Sequence, residues 1–274
     1  MVILVICVLF FLIMTTKTLS QAAFSIFNAY LHLPFPGRDV SCPYFNNRRI
    51  KVRAGLRATI GKGTPQEIVD EAEIYALKEK IALDDLNNNA LKRFLVDRNL
   101  GIDCSALAYH TLDAESRANR KGPLKKHLSF PYVKNPLRKL LARIRTVENV
   151  SVQTLAHEKN SRTIELKNIS PGDLIVILDA GLDNSRDHVL LVHRVLYEEH
   201  HAHPQLIEYT HSFQWRSNGK YGHGVRQGRI EIVDISKPIL EQRWVENEKE
   251  GEENETHRYA KRAQEMLVKR LEGI

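Results

Sequence analysis

Between residues 162 and 235 the chain returns five times to a short segment rich in Ile, Val and Leu, bounded by turn residues. Residues 162–166, 173–178, 188–197, 206–211 and 229–235 therefore read as strands. Pro171-Gly172 makes a turn into the second, and residues 198–204 form a loop joining the third and fourth as a hairpin. The sheet is thus antiparallel, and the end of the fourth strand lies beside the start of the third. A sheet of this kind needs a covering layer, which the rest of the chain must supply.

Helical patterns precede the sheet. Thr64-Pro65-Gln66-Glu67 combines a capping Thr, a Pro at the first helical position and a Glu three residues after the cap. It predicts a helix over 64–80. Leu91, Phe94 and Leu95 share one face of a second helix, 89–97, which Asn99-Leu100-Gly101 ends. A third starts at Asp103 or Cys104 and runs to about Arg117. Residues 34–63, rich in Pro, Gly, Asn and Arg, read as loop with short extended pieces. After the sheet, residues 238–274 form a charged tail: an acidic run over 246–255 reads as loop, and Tyr259, Ala263, Met266, Leu267 and Leu271 predict a terminal amphipathic helix. Helices, then strands, then a tail helix define an α+β class, with helices packed on an antiparallel sheet.

At 274 residues, 43% hydrophobic and 27% charged, the composition is that of a soluble globular chain. It excludes collagen, a coiled-coil rod, a mostly disordered chain and a polytopic membrane protein. The net charge of +7 favours acidic partners. Between Glu115 and Arg145 there are ten Lys or Arg residues and one acidic residue, a solvated basic surface that could attract an anionic polymer. No aromatic stacking pattern accompanies it, so nothing favours nucleic acid. Residues 1–14 are an uninterrupted apolar run, shorter than the ~20 residues of a spanning helix. With Ser20-Gln21-Ala22 as a small-residue cleavage site, residues 1–22 read as a secretory signal or, if uncleaved, as an anchor. No Lys or Arg precedes the run. Met14 is an alternative start, in which case the residues after it read as an amphipathic helix of a cytoplasmic protein.

Three cysteines are too few for a disulfide scaffold, although Cys42 and Cys104 could pair in an oxidising compartment. Gly101-Ile102-Asp103-Cys104-Ser105-Ala106-Leu107 delivers Cys104 to the first turn of a helix. Unpaired N–H groups and the positive end of the helix dipole favour a thiolate there, and they place donors near an oxyanion formed at its target. The alternative is a buried structural Cys. A thiol nucleophile needs a base and an orienting group. Asp187-His188-Val189 places His188 at the start of a strand, on one face with Leu190 and Val192, whereas His193 shares the other with Val189 and Leu191. The hairpin brings His211 beside His188, where it can fix the tautomer. His200, His201 and His203 form a dense cluster near His211, but no carboxylate or Cys completes a ligand set, so neither metal nor cofactor is expected.

These residues resemble the NlpC/P60 family of papain-like cysteine peptidases. Asp103-Cys104-Ser105-Ala106-Leu107 is similar to the family's D-C-S-G-L motif with Ala for Gly, Pro171-Gly172-Asp173-Leu174 matches its P-G-D-L turn, and Asp187-His188-Val189 is similar to its G-H-V with Asp for Gly. The resemblance spans about residues 30–235. It implies a papain-like fold over 23–237, with helical insertions at 64–97 and 115–145. It implies Cys104 as nucleophile, His188 as base and His211 as orienter. The family's P-Y-x-x-G-G segment has its nearest counterpart in Pro43-Tyr44-Phe45, without the glycines; Tyr44 and Ser105 are the candidate substrate-binding or oxyanion residues. The implied activity is hydrolysis of an amide bond in cell-wall (peptidoglycan) stem peptides, outside the cytoplasm. A non-catalytic binding module for an anionic polymer or partner protein, and a thiol acyltransferase, are the alternatives. The loop with Trp215, Tyr221 and the glycines from Gly219 to Gly228 could line a substrate groove.

Overall fold

The computed structural model describes residues 14–47, 55–181, 186–198 and 203–274. Nine strands form one sheet among these residues: β1 (Met14–Thr18), β2 (Ser161–Thr163), β3 (Leu174–Ala180), β4 (Arg186–Glu198), β5 (Pro204–Phe213), β6 (Gly224–Glu231), β7 (Arg243–Glu246), β8 (Lys249–Glu250) and β9 (Glu265–Leu271). Their order is β2-β9-β3-β4-β5-β6-β7-β8, every pair antiparallel, with β1 on the far half of β4. The helices are α1 (Gln21–Leu31), α2 (Pro65–Glu79), α3 (Asn88–Asp97), α4 (Cys104–Ala118), α5 (Pro136–Ile144), α6 (Thr146–Asn149), α7 (Val152–Ala156) and α8 (Glu255–Ala260). The class is α+β. None of the described helices is long and apolar enough to cross a membrane.

The alternation of β3 and β4 sorts the core into two layers. Leu174, Val176, Val189 and Leu191 face one way and pack with Phe27 and Tyr30 of α1, Ile68 of α2, Leu95 of α3 and Leu107 of α4. Helices α2 and α3, expected as an insertion, are therefore part of the main core. Ile175, Leu190 and Val192 face the other way, with Tyr209, Ile230, Trp244 and Val268. Each fully buried side chain of this size contributes about 1.5–3 kcal/mol.

The ends of the chain differ from the expectation. The predicted terminal helix stops at Ala260, and residues 265–271 form β9, inserted between β2 and β3. Helical spacing was present, but the open edges of β2 and β3 demand backbone partners, and tertiary pairing overrides local periodicity. Residues 238–274 are thus part of the sheet rather than a tail. At the other end, residues 14–18 pair with Glu198–Arg194 of β4 instead of starting a helix. Thr15, Thr16 and Thr18 are β-branched and suit a strand. Ser20 then caps α1 by accepting the Ala23 N–H, so a cut after Ala22 would remove a strand and a helix cap. Residues 1–13, the apolar run, lie outside the described residues.

Candidate active site

Asp103 caps α4, its Oδ1 accepting the Ala106 N–H at 2.8 Å, and this fixes Cys104 at the first helical position. Gly101 lets the loop pass close to the chain from Pro43 to Phe45, because a Cβ there would lie 2.4 Å from the Pro43 carbonyl oxygen. Ser212 of β5 holds the same loop by donating to the Ile102 carbonyl at 2.8 Å. The β4–β5 ladder begins only at Leu191 and Thr210, so the first residues of β4 lack that neighbour. The α4 N-terminus sits at this fork, where Cys104 packs in the same buried cluster as Val189, the residue after His188.

The histidines approach the fork from the opposite face. His188 lies directly across from Ile177 of β3 and is fully buried among Phe213, Trp215 and Tyr259. Its Nε2 lies 2.8 Å from His211 Nδ1, and His211 Nε2 lies 2.9 Å from Glu246 Oε2. Tyr209 and Thr256 each donate a hydroxyl to the same carboxylate oxygen, and Arg226 stands 3.7 Å from the other. Gly228 makes room for the Tyr209 ring, since a Cβ there would meet its hydroxyl at 2.3 Å. Burial works to raise the Glu246 carboxyl, yet His211, Arg226 and Thr256 hold it down at about 2. It is therefore ionised and can only accept. With His211 Nε2–H donated to it, His211 Nδ1 is placed to accept the Nε2–H of His188. His188 Nδ1 is then left with a lone pair, and this atom is buried without a hydrogen-bond partner.

The resting thiol departs from the expectation of a thiolate. Burial, and then the Asp103 carboxylate next to it, push Cys104 up to about 12, against the Val189 N–H and Lys62, which act the other way. Desolvation and the capping carboxylate outweigh the backbone N–H groups and Lys62 that favour the thiolate. Burial, with His211 and Arg226 as neighbours, also holds His188 well below the usual imidazole value. Cys104 and His188 share no hydrogen bond. Cys42 and Cys104 are both free thiols rather than a disulfide.

Tyr44 is brought to the site although it lies some sixty residues upstream: it bridges to Ile102, and its ring lies tilted 5.4 Å from that of Phe213. With Cys104, Asp103, Lys62 and Asp187 it lines a cleft of about 510 Å³. Ser105 lines the same cleft, but its hydroxyl is engaged by Asp103, Lys62 and the Val150 carbonyl. The Lys62 ammonium is itself buried against Asp103 at 2.8 Å. Trp215 does not open a groove; it is buried over His188 and packs on Phe213 and Tyr259. Tyr221 instead meets Asp97 and Arg93 at the surface. No described His, Cys, Asp and Glu side chains gather in threes as metal ligands; His200 and His201 lie outside the described residues.

Lys62, Arg226, Tyr209, Glu246 and Thr256 were not singled out from the sequence. Glu246 stood in an acidic run read as loop. The one signal was the alternation in Arg243-Trp244-Val245-Glu246, which places Trp244 and Glu246 on one face of a strand. Protein-family models gave no match to the chain, and no curated protein matched it either.

Proposed function

We propose that the chain is a thiol hydrolase of papain-like, NlpC/P60 type, in which Cys104 attacks an amide carbonyl and His188 accepts the thiol proton. The observation that carries this reading is the buried His188–His211–Glu246 chain, which ends on the unpartnered His188 Nδ1, one residue from Val189 in the cluster that buries Cys104. An unpaired buried polar atom costs about 1–3 kcal/mol, and a general base needs one. His211 orients the imidazole, and Glu246 stabilises the charge that develops on it. The raised thiol and neutral imidazole describe a pair that exchanges its proton during attack rather than a preformed ion pair. This reading requires the two side chains to reach bonding distance across the fork of β4 and β5 when substrate is engaged. The α4 N-terminus supplies donors for the oxyanion.

By the resemblance the substrate is an amide in cell-wall stem peptides, whose acidic groups suit the basic surface, and the apolar run over 1–14 suits export. Incubating the protein with muropeptide digests tests this: mass spectrometry should show new free amines, lost in Cys104→Ser and His188→Gln. Unchanged digests with folded wild-type protein would contradict the substrate. An acylated Cys104 that passes to an added amine rather than water would mark a transferase. A non-catalytic binding module is the second reading, favoured by the raised thiol and the missing Cys104–His188 hydrogen bond. It predicts retention of muropeptides without cleavage.

A further inference from the structure

Helix α5 is turned inside out. In an ordinary surface helix, apolar residues at i, i+3, i+4 and i+7 face the core. Here Leu137, Leu140, Leu141 and Ile144 hold that spacing and are 72%, 56%, 57% and 67% exposed, while Ala142 is the residue of the helix that is buried. Tyr132, just before the helix, is 60% exposed as well. Lys134, Arg138, Lys139 and Arg143 surround the stripe, all exposed. Among the described residues none of these four has an ion-pair partner. The nearby carboxylate, Glu148, is occupied by Arg145 at 3.1 Å and faces Arg57 at 3.9 Å.

We infer that α5 docks the protein on an anionic lipid surface, its leucines entering the acyl boundary and its basic side chains meeting the headgroups. The charge decides the occupant. An apolar stripe alone suits any greasy partner, but a stripe ringed by unpaired cations and no free carboxylate is the pattern of an interfacial helix. Each cation near an anionic bilayer strengthens binding roughly fivefold to tenfold. The placement also bears on the site. Arg138, Leu141, Ala142 and Arg145 line a second cleft of about 870 Å³, which shares Asn47, Ile60 and Glu148 with the cleft of Cys104. Docking through α5 sets the mouth of this joined groove beside the membrane.

A tryptophan in the stripe tests the inference. Trp215 and Trp244 are buried, so the full-length chain carrying Leu140→Trp gains an exposed reporter. Vesicles of phosphatidylcholine and acyl-chain-brominated phosphatidylglycerol should quench that added emission, and salt should release it. Brominated phosphatidylcholine alone should leave it unquenched. Adding Arg138→Gln and Lys139→Gln should raise the lipid needed for half-quenching roughly 30-fold. Absence of quenching while the protein co-sediments with anionic vesicles would assign binding to another segment and overturn the inference. Equal quenching by zwitterionic lipid would also overturn it. So would a lipid-independent blue shift that grows with protein concentration, because the stripe would then be covered by a second copy of the chain.

Discussion

Glu246 anchors the proton chain of the site, and its ionisation couples that chain to the fold. Its carboxyl lies at about 2 against an ordinary value of 4.5, so its stabilisation is complete above about pH 4.5 and is lost as pH falls through about 2. Urea midpoints from pH 5 to pH 2 should therefore drop in wild type and stay flatter in Glu246→Gln; equal slopes would contradict the ionised carboxylate. The capped helix start at Cys104, the strand start near His188 and the contact of His188 with His211 were legible in the sequence, because each falls at a marked position. The protonation states of these residues were not legible. The helix dipole suggested a thiolate, but desolvation and the capping Asp103 act on the sulfur from places that only the packed structure reveals. Glu246 and Lys62 were hidden for the same reason, since a charged residue in a polar stretch reads as solvated until its neighbours are known.

At the scale of elements, capped helices and alternating strands were the readable part. The capping box at Thr64 and Glu67 forms as its residues suggest, and α2, α3 and α4 lie where the periodicity places them. The strands around His188 and His211 pair as a hairpin. The peripheral segments of the chain were less readable, because β1, β7 and β9 are decided by which strand needs a partner and not by their own pattern. Strand β1 gives a direct test. A chain starting at Ala23 loses the five residue pairs between β1 and β4, the buried Leu19 and the Ser20 cap. Leu19 contributes about 2 kcal/mol and the cap about 1 kcal/mol. Its unfolding free energy in urea should therefore fall by at least about 3 kcal/mol. An unchanged midpoint would show that β1 adds nothing to the fold.

Across the whole molecule, the sheet separates two halves of one device. The helical face carries Cys104, the proposed nucleophile, and its cleft; the opposite face carries the hydrogen-bonded chain of His188, His211 and Glu246, sealed by Phe213, Trp215 and Tyr259. They meet where β4 and β5 part. Part of the basic stretch between Glu115 and Arg145, namely Lys134, Arg138 and Arg145, lines the entrance of the second cleft at α5. The account thus requires that His188 act on Cys104 through the fork. The most direct measurement is the alkylation rate of Cys104 by iodoacetamide against pH, read by mass spectrometry in wild type and His188→Gln. If His188 is the base, the wild-type rate at pH 8 should exceed that of the variant about 100-fold, and the gap should close as pH approaches the thiol's own value of about 12. Two superimposed profiles, both rising only with that thiol titration, would contradict it.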